Sequence, residues 1–433
     1  MRFYSVLLLA IVVFSCASEQ KNPPNIVLIM ADDLGYGDIA CYGCDYIETP
    51  MLDKMAKEGL KFLDYHSNGA VCTPTRAALM TGNYQQRAGL EGVIYAAKEK
   101  RFYGLSQDEK TIAEYLKDAG YRTGIFGKWH LGYQPEFNPT FHGFDTFYGY
   151  VSGNVDYISH HDGIGLYDWW NNTDTSYEEG YVTDLITNHA LDFIKENKDQ
   201  PFFVYLPHEA PHYPYQGRND KADRLPGKEF KHHGSREDVT GAYKEMVEVM
   251  DENIGRVMDL LEQLQLDENT LVFFCSDNGA TKAGSNGELR GFKGSLWEGG
   301  HRVPAIARYP DKIQKGSTTS ENVLSIDILP TVLSVAGIDS EAKFDGIDFS
   351  ELLFNNAEVS TRPVFWRYRN QTAVRKGKWK YLRIKDEYFL FDLEKDLQEK
   401  NNLVYSQTAI ADELKKLLME WEEEMKSYPQ QTN

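Results

Sequence analysis

Three observations predict an α/β protein built on a large mixed, mainly parallel sheet sandwiched by helices, followed by a small C-terminal α+β subdomain. Four short apolar runs each end abruptly in polar residues, helical patterns lie between them, and the composition changes after about residue 360. Strands that are apolar throughout and alternate with helices mark a parallel sheet covered on both faces.

The first run, NIVLIM at 25–30, leads into Asp32 and Asp33. A helical pattern at 111–119 precedes the run YRTGIF at 121–126, which leads into Lys128 and His130. PFFVYL at 201–206 leads into His208 and His212. An amphipathic helix is expected over 242–264, where Tyr243, Met246, Val247, Met250, Ile254, Val257, Met258 and Leu261 recur at helical spacing. TLVFFC at 270–275 then leads into Asp277, Asn278 and Gly279. Beyond 360, segments 363–368, 379–384 and 388–393 read as short antiparallel strands. Residues 408–425 read as one helix whose Ile410, Leu414, Leu417, Leu418, Trp421 and Met425 form a packing face. The expected divisions are 1–16, 23–360 and 361–433.

Composition narrows the function. Among 433 residues, 46 Lys and Arg against 65 Asp and Glu give a net charge of −19. That balance excludes non-specific nucleic-acid binding, which needs many cations facing phosphate. It also requires any anionic substrate to be captured by a local basic pocket. The start, MRFYSVLLLAIVVFSCASEQ, has Arg2, a short apolar run and then small residues, the layout of a signal peptide over 1–16. VFSC at 13–16 resembles a bacterial lipoprotein box, implying lipidation of Cys16; ordinary cleavage near Ala17 is the alternative. The expected location is the periplasm or outer membrane of a bacterium, with membrane contact only through the lipid anchor. Cys41 and Cys44 read as packed thiols or a local disulfide, since nothing completes a zinc set.

Polar residues that follow the strands of a parallel sheet converge on one edge, where such folds bind ligands. Asp32, Asp33, Asp277 and Asn278 offer only oxygen donors, which suits Ca²⁺ or Mg²⁺. Adjacent aspartates cannot both face one site from a regular strand, so the chain must leave the strand at about Ala31, near Gly35 and Gly37. Arg76, Lys128 and Lys293 could neutralise an oxyanion, and His130 and His212 titrate in the range useful for proton transfer. In AVCTPTRAALMTG, at 70–82, Pro74 reads as the first helical residue, which puts Cys72 just before a helix N-terminus and Arg76 one turn on.

That stretch resembles the type I sulfatase signature, and GYRTGIFGKWHLG at 120–132 resembles the second signature of that family, with Phe126 where a smaller residue is usual. ADDLGYGD, APHYP at 210–214, SDNG at 276–279 and GFKGSLWEGGHRVP at 291–304 extend the resemblance in family order. It implies an alkaline-phosphatase-like fold and conversion of Cys72 to formylglycine by a formylglycine-generating maturase. It also implies Ca²⁺, ahead of Mg²⁺, between the sulfate and Asp32, Asp33, Asp277, Asn278 and residue 72. Arg76 would hold the nucleophile, Lys128 and Lys293 the sulfate oxygens. His212 would protonate the leaving alcohol, and His130 would take the proton that frees sulfate. The aromatic, His-rich segment 152–170 suits stacking and hydrogen bonding to a sugar, and equally an ordinary aromatic-rich loop packed on the domain surface. Candidate substrate contacts are His160, His161, Asp168, Trp169, His208 and Arg302; the basic island at 228–236 reads first as a solvated loop, with contact to an anionic glycan as the alternative. The expected substrate is a sulfated sugar or oligosaccharide of a host or algal glycan, cut by exo action at galactose or N-acetylgalactosamine sulfate, the 4-sulfate first and the 6-sulfate next. Two alternatives stand beside it: a phosphate monoester or diester hydrolase of the same superfamily, and a non-catalytic lipoprotein that binds sulfated glycan.

Overall fold

The structure is a computed structural model that describes residues 23–97, 101–229 and 234–431. Residues 1–16, with the expected signal peptide and lipidated Cys16, lie outside the described residues.

A ten-stranded sheet forms the centre. Its middle strand, Asn25–Ala31, pairs in parallel with Phe202–Pro207 on one side and Thr270–Ser276 on the other, so that Val27 lies level with Val204 and Val272. Arg122–Lys128 and Thr146–Tyr150 continue the parallel pairing outward. Ala305–Arg308 runs antiparallel to Thr270–Ser276, which makes the sheet mixed. Alternation along the middle strand feeds two cores. Ile26, Leu28 and Met30 face helices Cys72–Thr81, Ile112–Asp118 and Ile328–Val335. Val27 and Ile29 face Pro50–Glu58, Val182–Glu196 and Val239–Gln263. Each of the four expected strands is present, offset by one or two residues.

The C-terminal part is a four-stranded antiparallel sheet in chain order, Pro363–Tyr368, Gln371–Lys376, Trp379–Ile384 and Glu387–Asp392, covered by helix Thr408–Met425. The second of these strands was not expected. Thr372, Ala373, Val374 and Arg375 are all buried in it, so polar and apolar residues sit inside together and no alternation shows. Residue 361 falls in the connection ahead of the first. A third apolar cluster joins Trp366, Val374, Leu414 and Trp421 to Val71, Ala78 and Tyr84 of the large sheet's side. Cys41, Cys44, Cys72 and Cys275 are all free thiols, and burial pushes the Cys41 thiol up to about 12. No helix among the described residues is long and apolar enough to cross a membrane.

Candidate active site

Three strand ends meet at one point. The backbone N–H of Asp32 donates to Ala210 O at 3.1 Å, and that of Asp277 to Ala31 O at 3.1 Å. Just past the strand, Asp33 takes φ +65°, the break that lets both aspartates face one site. Gly35 and Gly37 serve a different purpose from the expected one. Neither has positive φ; a Cβ on Gly35 would lie 2.1 Å from Ser285 O and one on Gly37 2.5 Å from Gly287 N, so they admit the loop that follows Asn278.

Acids and bases pair across the centre. Lys128 bonds Asp32, Lys293 lies 2.6 Å from Asp33, and Arg76 Nη2 lies 2.8 Å from Asp277. Arg76 also donates from Nε to Asp277 at 3.1 Å and from Nη1 to Lys128 O at 3.1 Å. Asn278 Nδ2 donates to Asp33 Oδ1 at 2.7 Å, while its Oδ1 is buried with no hydrogen-bond partner among the described residues. Burial, then the neighbouring Asp32, pushes Asp277 up to about 6. Ligand atoms of Asp32, Asp33, Cys72 and His212 all lie within 4.8 Å of one another. An orphaned amide oxygen beside the crowded carboxylates of Asp32 and Asp33, with Asp277 held next to them by Arg76, fits a hard divalent cation. Three acids and three cations cancel, so that ion would give the pocket the positive balance an oxyanion needs.

Cys72 opens the helix Cys72–Thr81, with Val71 as N-cap; Pro74 is therefore the third helical residue and not the first. The difference is small in energy, because the first-turn N–H groups have no intrahelical partner and proline loses nothing there. All ten residues of the helix are buried. The Cys72 thiol donates to Asp32 Oδ1 at 3.3 Å and receives Lys293 Nζ at 3.4 Å. Burial, then Asp277 and Asp32, raises it well above an ordinary thiol. A thiol held protonated is a poor nucleophile.

The two histidines present opposite nitrogens. His130 Nε2 lies 2.9 Å from Ile94 O, which makes it the donor and leaves Nδ1, buried and unpartnered among the described residues, as the free base. His212 Nδ1 lies 2.7 Å from Tyr213 O, so its Nε2, 3.7 Å from Asp33, is the nitrogen that exchanges protons with the site. Both rings sit well below the usual imidazole range through burial, reinforced by Lys128 at His130 and Lys293 at His212.

Cys72, His130, His212 and Lys293 line a cavity of about 1270 Å³. None of the six expected substrate contacts lines it. Trp169 is fully buried in the core. Asp168 is used by the N–H groups of Val151 and Ser152 and by Trp170 Nε1. His160 is held by Gly180 O and His161 by Ser159 O. His208 is enclosed, and burial pushes it down to about 3. Arg302 is committed to Asp64, Glu298 and Leu63 O beneath the C-terminal sheet. The segment 152–170 does form wall, but through Gly153, Asn154, Gly163 and Ile164. In the basic island, Arg236 is spent on Asp220 and Glu245. Tyr95, Arg224, Tyr368 and Arg369 line the cavity and were not expected. Their neighbours in sequence carry no motif, and only the folding of the C-terminal sheet onto the large one brings Tyr368 and Arg369 there.

Carboxylates, cations and two differently protonated histidines around a buried helix start make a hydrolytic centre for oxyacid esters. The Sulfatase family model matches residues 24–338, and the model described as N-sulphoglucosamine sulphohydrolase, C-terminal matches 287–426. The N-acetylgalactosamine-6-sulfatase of Canis lupus familiaris is 35% identical over 394 residues, covering 84% of this chain and 72% of that protein. Arylsulfatase A of Homo sapiens is 35% identical over 400 residues, covering 83% and 74%. Among solved structures, Ps i-CgsB in complex with k-i-k-neocarrahexaose is similar with a TM-score of 0.84 at 31% identity, covering 92% of this chain and 93% of that one. The chain belongs to the sulfatase family and is a sulfuric ester hydrolase.

Proposed function

We propose that the chain hydrolyses sulfate esters of a carbohydrate, galactose or N-acetylgalactosamine sulfate, with Cys72 converted to formylglycine and Ca²⁺ held by Asp32, Asp33, Asp277 and Asn278. The observation that carries the reading is the buried Cys72 thiol, raised by its surroundings and in contact with Asp32 and Lys293: as a cysteine it is a poor nucleophile set where one is needed. Formylglycine, as its hydrate, would supply a hydroxyl there, and the divalent cation would supply Lewis-acid polarisation of oxygen. The chain's own residues do the rest. Lys293 and Lys128 place positive charge beside position 72 for the sulfate oxygens, and Arg76 fixes Asp277 and the end of the strand that carries Lys128. His212 Nε2 faces the leaving sugar oxygen and, with Nδ1–H held by Tyr213 O, takes up a second proton before it can protonate that oxygen. His130 Nδ1 accepts the proton released from position 72 when sulfate departs.

The relatives named for the 6-sulfate support that position, and the 4-sulfate stays beside it as the matched comparison. Two measurements test the reading. After co-expression with a formylglycine-generating maturase, the tryptic peptide 62–76 should be about 18 Da lighter than its cysteine form and react with a hydrazide. The same preparation should release sulfate from 6- or 4-sulfated N-acetylgalactosamine and leave matched phosphate esters at least about a hundredfold slower, a difference of ~2.7 kcal/mol. An unmodified thiol, or faster phosphate release, overturns it.

A further inference from the structure

A second chamber of about 380 Å³ adjoins the catalytic cavity, and the two share Val93, Tyr95, Tyr368 and Arg369 as common wall. The larger one alone exceeds the roughly 300–1,000 Å³ of small-ligand pockets, so a sulfated monosaccharide leaves most of the combined space unused. The shared wall has the chemistry of a sugar site. Tyr95 is 48% exposed, an aromatic face turned to the cavity where a core would have hidden it. Arg369 stands at the tip of the hairpin between Pro363–Tyr368 and Gln371–Lys376, held at φ +53°, exposed, and stacked 5.1 Å over the Tyr368 ring. It makes no ion pair among the described residues. Its neighbour Arg367 is bound to Glu91, and every cation at Cys72 is bound to an aspartate. In a chain of net charge −19, an unspent arginine at a cavity mouth is a local exception to a repulsive field.

We propose that Tyr95, Tyr368 and Arg369 form a second sugar subsite that reads an anionic group, sulfate or carboxylate, on the residue adjoining the sulfated sugar. The substrate class is then an oligosaccharide charged on two neighbouring residues. This rests on the sulfatase reading above. The sulfated sugar reaches Cys72, its neighbour lies against the exposed Tyr95 face, and the guanidinium fork takes the second anion.

The test uses the matured full chain and matched substrates. One pair is a trisaccharide with N-acetylgalactosamine sulfate at the non-reducing end, its adjoining uronate intact or carboxyl-reduced. The other is a disaccharide of galactose 4-sulfate with or without a second sulfate on the adjoining sugar. In at least one pair the charged member should have a kcat/KM about tenfold higher, carried by KM. Arg369→Gly, which suits the positive φ of the turn, should erase that ratio, and Arg369→Lys should keep part of it. Turnover without discrimination, a ratio that survives Arg369→Gly, or turnover of monosaccharides alone overturns the subsite while leaving the sulfatase reading intact. No turnover of any sulfate ester, a simple aryl sulfate included, overturns the sulfatase reading itself and the subsite with it.

Discussion

Replacing Arg76 by lysine keeps the charge and removes the geometry. The guanidinium makes three hydrogen bonds from one rigid plane: two to Asp277, at 2.8 and 3.1 Å, and one to Lys128 O at 3.1 Å. A single ammonium can take over one of the Asp277 contacts, so about two bonds are lost from a buried site. Hydrogen bonds involving charged groups contribute about 1.5–3 kcal/mol each, for a total of about 3–6 kcal/mol. If that loss falls on the alignment of Asp277 and Lys128, kcat/KM should drop between about 10² and 10⁴-fold in Arg76→Lys. Maturation has to be separated from catalysis, because under the proposed function a maturase would have to act at Cys72, four residues from Arg76. Trypsin still cleaves after position 76 in the variant, so peptide 62–76 reports the converted fraction, and rates are normalised to it. A folded, fully converted variant within tenfold of wild type would refute the claim that the fork, and not the charge, organises the site.

Other consequences follow from burial. His142 is enclosed without hydrogen bonds to its ring among the described residues, and burial pushes it down to about 4 from 6.5. The fold favours the neutral ring, so this stability is complete above pH 6.5 and is lost as pH falls toward 4. The difference of 2.5 units amounts to about 3 kcal/mol. Urea midpoints at pH 7.5 and 4.5 should lie closer together in His142→Phe than in the wild type, the other buried histidines keeping part of the gap, and an unchanged pH slope would count against it. Gly35→Ala places a Cβ 2.1 Å from Ser285 O and must displace the loop after Asn278; a loss of about 1–3 kcal/mol and at least tenfold in activity is expected, checked by melting and kinetics. Lys380 is buried between Glu298 at 2.8 Å and Glu399 at 2.9 Å, so Lys380→Met should cost about 3–5 kcal/mol, partly recovered by adding Glu399→Gln, as read by denaturant titration.

The strand ends were legible because a parallel sheet forces a run of apolar residues and then an abrupt polar stop: Ala31 to Asp32, Ser276 to Asp277, Lys128 to His130. That the chain leaves the strand at about Ala31 followed from side-chain alternation alone; that Asp33 itself makes the turn, at φ +65°, did not. Specificity was not legible, for a physical reason visible in His160, Asp168, Trp169 and Arg302. A composition rich in His, Asp and Trp suits a sugar, yet the same donors and rings also satisfy backbone groups of an irregular segment. Asp168 is spent on Val151 and Ser152, and His160 on Gly180. Local composition cannot separate the two uses. The residues that do line the cavity include glycines, Asn154 and Ile164, which contribute surface without advertising it.

The C-terminal sheet is tied to the candidate site by its hydrogen bonds, although it lends no group to Cys72. Trp366 Nε1 donates to Ser67 O at 2.9 Å, in the segment that leads to Cys72. Gln371 spans the other side: its Oε1 accepts Leu296 N at 3.0 Å and its Nε2 donates to Gly294 O at 3.1 Å, which fixes the loop carrying Lys293. Lys380 and Arg375 then bind Glu298 and Asp64 beneath that loop. Cys72 and the Lys293 ammonium, 3.4 Å apart, come from segments some 220 residues apart, and the small sheet bonds to both segments. A buried ion network is weak support for stability by itself, but it tolerates few alternative arrangements once its members are enclosed. The hydrogen bonds from Trp366 and Gln371 register the segment before Cys72 against the Lys293 loop, and the hairpin tip at Arg369 lies at the cavity because that same sheet is held there.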